Sequence, residues 1–224
     1  SRLKQEQIKL ADKVLVTDQF ERARHIAGCD QSYLDNNKVL SVVVVMNTDT
    51  MEIVDRAESV QECRLPYIPG LLFYREAPAV IEAFTQLNVR PDILMVDAHG
   101  ILHPRRIGMA SQLGIALDTP TIGVAKNLMA GKCYEGKIEM DKEIRGEEVK
   151  TRDFAKPIYV SPGHKVSLRT AADMVRRMTM HPHKLPEPLH LAHRMARKAL
   201  KKSNKKDTHA PEGEEQHKTT RHMS

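Results

Sequence analysis

Cysteine is scarce in this chain: three residues, at 29, 63 and 133, among 224. They are too few and too scattered for a framework of bridges, so a disulfide scaffold is excluded and reduced thiols in a cytoplasmic setting are expected. Long apolar runs are missing as well. The longest stretch, 39–46, is interrupted by Ser41 and falls far short of the ~18–20 residues of a membrane helix. No apolar core follows a basic start, so neither a secretory signal nor a membrane partner is expected. Disorder is excluded by what remains: hydrophobic residues reach 41%, and with glycine added the share approaches the ~45–50% of globular domains.

The charge is unevenly placed. Residues 194–206 (RMARKALKKSNKK) hold seven Lys or Arg and no acid, more than the whole net charge of +6. The basicity therefore belongs to one segment. Such a run neutralises phosphates and attracts nucleic acid, or it serves as a solubilising tail.

Periodicity gives an order of elements. Ile8, Leu10, Ala11, Val14 and Leu15 have helical spacing within 1–22. Strands are expected at 26–33, 39–47 and 52–60, joined by turn signals at Asp35-Asn36-Asn37 and Asn47-Thr48-Asp49, which makes an antiparallel meander. Phe73, Ala77, Val80, Ile81, Phe84 and Leu87 mark an amphipathic helix over 71–87. The short apolar run 93–96 reads as a strand buried on both faces. A helix over 105–115 begins near Pro104, and 120–124 is a further strand. Residues 130–156 are polar, with small strands and loops. A strand at 158–160 and helices at 166–179 and 188–202 complete a single domain, 1–202. Residues 203–224 read as a polar disordered tail. A meander followed by alternating helix and strand indicates an α/β domain with a mixed sheet. The ribonuclease H-like arrangement is one such fold, and periodicity alone does not separate it from others.

Several residues invite chemistry. Asp97 closes the run 93–96, where open α/β sheets bind ligands, though a capping acid has the same position. Asp30 lies in an otherwise apolar strand, where a carboxylate is costly to bury unless paired or metal-bound; an edge acid facing water is the alternative. Glu76 falls on or beside the apolar stripe of its helix, or on the rim of that stripe. Three such oxygen donors in one cleft suit Mg²⁺ or Mn²⁺. His99 and His103, with Asp97, offer a zinc set instead, although Gly100 and Pro104 argue against a helix through both. His103-Pro104-Arg105-Arg106 at a helix start reads as an anion site or as surface arginine. Pro66-Tyr67-Ile68-Pro69-Gly70 is stiff, with apolar groups able to wedge between bases, or is a plain turn with core anchors. Lys126 follows strand 120–124, near the end where Asp97 lies. Ser161-Pro162-Gly163-His164-Lys165 reads as a Gly-containing loop and a weak phosphate contact. His193 heads the basic run.

As a set, these segments resemble the endonuclease V family. Ala27-Gly28-Cys29-Asp30, Pro66 to Gly70 through Arg75-Glu76, Val96-Asp97-Ala98-His99-Gly100 with His103-Pro104-Arg105-Arg106, and Gly123-Val124-Ala125-Lys126 match it in order and spacing over roughly residues 5–200. Ser161-Pro162-Gly163-His164 and Leu185-Pro186-Glu187-Pro188 extend the match. The resemblance implies a ribonuclease H-like mixed sheet, an antiparallel three-strand meander extended by parallel strands with flanking helices. It implies a monomeric, Mg²⁺-dependent repair endonuclease (Mn²⁺ substituting) that cuts DNA containing deoxyinosine at the second phosphodiester bond 3′ to the lesion. RNA containing inosine is an alternative substrate, and a non-cleaving inosine binder an alternative function. By motif position, Asp30, Asp97 and Glu76 hold the metal or align water, Lys126 stabilises phosphate charge, and His193 assists. Pro66, Tyr67, Ile68 and Pro69 form the wedge. Gly70, Leu72, Ala98, Gly100, Met109 and Met129 surround the flipped base, and His103, Arg105 and His164 join the nucleic-acid contacts. The family's usual Asp-Gly-His-Gly is Asp97-Ala98-His99-Gly100 here, so base preference is less firmly implied than phosphodiester cleavage.

Overall fold

The computed structural model describes residues 1–34 and 37–207. Its strands are β1 (His25–Leu34), β2 (Lys38–Asn47), β3 (Ile53–Glu62), β4 (Ile93–Val96), β5 (Thr121–Ala125), β6 (Lys132–Tyr134), β7 (Lys137–Met140), β8 (Glu143–Val149) and β9 (Ile158–His164). Its helices are α1 (Arg2–Ala11), α2 (Leu72–Thr85), α3 (Met109–Leu117), α4 (Leu168–Arg177) and α5 (Glu187–Asp207). The described strands form one nine-stranded sheet in the order β3-β2-β1-β4-β5-β9-β8-β7-β6. The first three are an antiparallel meander, and β4 and β5 continue it in parallel with β1. This is the ribonuclease H-like mixed sheet.

Burial on both faces explains the run of valines in β2. Leu40, Val42, Val44 and Met46 point into the core beneath α4 and α5, while Val43 and Val45 point into the core beneath α2 and α3. A central strand covered by helices on both sides is apolar at nearly every position, with Ser41 the buried exception within 39–46, whereas the edge strand β3 is largely exposed. The two cores hold the sheet between helix layers.

The structure departs from the expectations in several places. Helix 1–22 stops at Ala11; the following segment is irregular and binds the β9–α4 corner, with the Leu15 N–H donating to His164 Nδ1 (3.2 Å) and the Lys165 N–H to the Leu15 carbonyl (2.7 Å). The helix expected from 105 starts at Met109, because Arg106 is left-handed (φ 57°) and Gly108 is extended. As expected, residues 130–156 hold small strands, three of them and antiparallel. The strand at 158–160 runs on to His164, taking in what reads as a loop. The last helix continues past 202 to Asp207, through a stretch without Gly or Pro to break it. Finally, the segment expected as a helix from 166 begins with Ser167, whose hydroxyl caps α4 by accepting from the Thr170 N–H. The Asp35-Asn36 part of the first turn and the tail from 208 lie outside the described residues.

Candidate active site

The sheet brings distant carboxylates together. β1 and β4 are parallel neighbours, with Cys29 opposite Val96. The next residue of each, Asp30 and Asp97, therefore emerges at one edge, about one strand spacing (~4.8 Å) apart. The adjacent parallel strand β5, with Gly123 opposite Val96, delivers Lys126 to the same edge, where its Nζ donates to Asp97 Oδ2 at 2.6 Å.

α5 supplies the third member. It lies so close over β1 that a Cβ on Gly28 would meet the Pro188 carbonyl carbon at 2.3 Å. From that seat the helix places His193 over Asp30, with Nδ1 2.6 Å from Oδ2. Candidate donor atoms of Asp30, Asp97 and His193 all lie within 4.8 Å of one another. Among the described residues this is the one such group.

Glu76 approaches from α2. It is buried, and its carboxylate accepts from the Tyr33 hydroxyl; the Arg75 guanidinium stacks over the Tyr33 ring at 4.4 Å. Glu76 does not belong to the close group of candidate donors, whose third member is His193. Tyr33 carried no motif signal in the sequence.

Burial and mutual repulsion dominate the electrostatics. Asp30 is held above the ordinary carboxylate range, first by burial and then by the charge of Asp97; His193 and Lys126 pull the other way. Glu76 is pushed up to about 7 by burial, against the Tyr33 hydrogen bond, with Asp30 and Asp97 adding to the rise. The Cys29 thiol is raised far up by burial and then by Asp30, so it stays protonated beside the carboxylates. Two adjacent carboxylates beside an imidazole are a donor set whose repulsion a divalent cation relieves. The donors present therefore fit a divalent cation.

The zinc alternative fails on placement. His99 and His103 are buried outside the donor group, and His103 Nδ1 accepts from the Arg105 N–H. The anion site at a helix start fails too. Arg105 precedes α3 and donates to Gln7 Oε1 (2.6 Å) and to the Gly70 carbonyl (2.8 Å), while Arg106 pairs with Glu143. His164 is a correction as well. It pairs with Thr121 at the opposite end of β5 from Lys126 and is engaged by Leu15. Gly100 is packed inward: its N–H donates to Ser161 Oγ (2.9 Å), and a Cβ there would meet the Pro162 carbonyl oxygen at 2.0 Å. That N–H is not free to read a base. Met109 is buried in the same core as Ala98 and Val96, whereas Leu72 is half-buried and Met129 exposed.

The segment from Pro66 to Pro69 stands exposed, with Tyr67 at 66% and Ile68 at 41% of full exposure. Its base is pinned. Gly70, left-handed at φ 78°, offers its carbonyl to Arg105 and to Gln7 Nε2 (2.9 Å). Gln7 is the one fully buried residue of α1 and also donates to Gln112 Oε1. No apolar periodicity marks such a residue, so sequence reasoning missed it.

A ribonuclease H-like sheet with paired carboxylates at one strand edge defines a class, the phosphodiester nucleases that work with a divalent cation. The family model for Endonuclease V matches residues 8–194. An Endonuclease V of Dictyoglomus thermophilum is 39% identical over 202 residues, covering 87% of this chain and 88% of that protein. The crystal structure of the Streptomyces avermitilis Endonuclease V superposes with a TM-score of 0.81 at 31% identity, covering 91% of this chain and 93% of the other. A Ciona intestinalis Endonuclease V, in complex with a 23mer DNA containing an inosine followed by a ribo-adenosine, has a TM-score of 0.82 at 29% identity, covering 90% and 96%. The chain belongs to the Endonuclease V family, a family of metal-dependent endonucleases. No helix among the described residues is long and apolar enough to cross a membrane.

Proposed function

We propose that this protein cuts nucleic-acid strands at deaminated bases, chiefly hypoxanthine, by hydrolysing the second phosphodiester bond on the 3′ side. Mg²⁺ is the working cation, and Mn²⁺ substitutes for it. The observation that carries this reading is the meeting of Asp30, Asp97 and His193 within 4.8 Å, in a family whose Ciona member binds DNA containing inosine.

Asp30 and Asp97 hold the cation, with His193 fixing Asp30 through its 2.6 Å contact and completing the donor set. When bound, the cation neutralises phosphate charge and lowers the proton affinity of water. Glu76 has a carboxyl near 7, which suits it to orient the attacking water and accept its proton near neutral pH. Lys126 places an ammonium beside the scissile phosphate. Tyr67 and Ile68 part the strands, at a cost of a few kcal/mol that a poorly paired lesion reduces. Three free cysteines suit a reducing cytoplasm.

Incubation of inosine-containing and control strands with Mg²⁺, followed by a denaturing gel, tests the function. Cutting of the inosine strand alone is expected, and Asp97→Ala is expected to abolish it while the protein stays folded. A native-gel shift without cutting contradicts the enzyme reading. Retained cutting by Asp97→Ala removes Asp97 from the mechanism. The ribo-adenosine after the inosine in the Ciona complex favours including strands with a ribonucleotide at that position. Preferential cutting of those strands shows a preference for a 2′-OH at that position, and matched all-DNA and all-RNA strands then decide the working substrate.

A further inference from the structure

α5 does not stop at the active site. Past His193 it crosses β2 towards the edge strand β3, and between α5 and β3 lies a groove of about 720 Å³. Arg194, Lys198 and Lys202 recur every fourth residue, on one face of the helix, and form one wall. Arg56 of β3 stands on the other. All four are exposed, and no salt bridge among the described residues engages them. Glu58 is the one acid in the lining; Val42, Met195 and Ala199 contribute an apolar floor.

The sheet register connects this groove to the carboxylates. Asp30 is opposite Val42 on β2, and Val42 is opposite Glu58 on β3. The groove therefore opens level with Asp30, about two strand spacings (~10 Å) across the sheet. From Arg194 to Lys202 the helix rises about 12 Å, the axial rise of three to four nucleotides of one strand at about 3.4 Å each.

We propose that this groove is a track for the sugar-phosphate backbone of the strand being cut, gripping it several nucleotides away from the scissile bond. The inference rests on the strand-cutting reading and adds to it a second contact region outside the acidic site and the wedge. Four cations against one carboxylate favour a polyanion. Their repeat along one helix face favours a linear one with regularly spaced charge, and the register that sets the groove level with Asp30 favours the substrate strand itself. Such contacts position the strand without reading its sequence.

The test is fluorescence anisotropy of labelled 24-nucleotide single strands, with and without inosine, in chelator at a series of salt concentrations. The triple variant Arg194→Ala, Lys198→Ala, Lys202→Ala is expected to bind at least tenfold more weakly at 0.1 M salt. The slope of log affinity against log salt is expected to shrink by about 2, at roughly 0.7 per phosphate released. Glu58→Gln is expected to tighten binding severalfold. A control triple with the same loss of charge, Arg22→Ala, Arg169→Ala and Arg177→Ala, is expected to keep the wild-type slope. An unchanged slope in the groove triple overturns the track, as does an equal loss in the control triple or no gain in Glu58→Gln. Failure of the strand-cutting reading shows separately, as absence of nicking by the wild type, and leaves these slopes to be judged alone.

Discussion

Burial acts in opposite directions on Glu76 and His103. The Glu76 carboxyl is raised from 4.5 to about 7. His103 is lowered from 6.5 to about 4, by burial first and then by Arg105. Between these limits the folded protein keeps a proton on Glu76 that the unfolded chain releases, so this group's stabilisation is full below 4.5 and lost as pH rises towards 7. The unfolded chain binds a proton on His103 that the fold refuses, so that contribution is full above 6.5 and lost as pH falls towards 4. The two slopes, each up to about 1.4 kcal/mol per pH unit, offset one another between pH 4.5 and 6.5. In chelator, Glu76→Gln is expected to gain stability relative to the wild type as pH rises through that window, and His103→Asn as it falls. Urea unfolding at pH 4.5, 5.5 and 6.5 measures both; a pH-independent difference in either variant contradicts the assignment of these charge states.

Elements position the site through close seats, among them that of α5 on β1. A methyl on Gly28 meets the Pro188 carbonyl carbon at 2.3 Å and the Leu189 nitrogen at 2.5 Å. Both are backbone atoms, so the helix itself must lift. Gly28→Ala is expected to cost about 1–3 kcal/mol of overpacking and on the order of 5 °C in Tm. Nicking is expected to fall more than the stability loss explains, because His193 moves with the helix. Unchanged Tm together with unchanged nicking contradicts this seat. The same kind of close approach explains one misreading. Gly163 in Ser161-Pro162-Gly163-His164 looks like turn chemistry. In the fold a Cβ there would meet Thr121 Oγ1 at 2.2 Å, so the glycine permits strand β9 to lie against β5. A left-handed Arg106 hid the true start of α3 in the same way, since its sequence carries no sign of that backbone state.

Across the whole molecule, the legible parts were those where a charge sits against an apolar pattern. Asp30 within an apolar strand and Asp97 at the end of a buried run stood out, and the structure sets them side by side. Strands buried on both faces were readable from their continuous valines and isoleucines. β6, wholly exposed, offered no such contrast, and neither did the irregular segment after α1. Gln7 and Tyr33 act through hydrogen bonds to Gly70, Gln112 and Arg105 and to Glu76, contacts that only the folded chain creates. The sheet edge gathers acids for a cation, and α5 leads away from it as a basic wall, so one molecule carries opposite charge on adjoining surfaces. In the proposed function Asp30, Asp97 and His193 together bind a divalent cation. Electron paramagnetic resonance of Mn²⁺ titrated into the wild type and into Asp97→Asn measures this without reference to cutting. Saturable binding by the wild type, weakened at least tenfold in Asp97→Asn, is the expected result; equal binding by the two proteins, or none by the wild type, contradicts it.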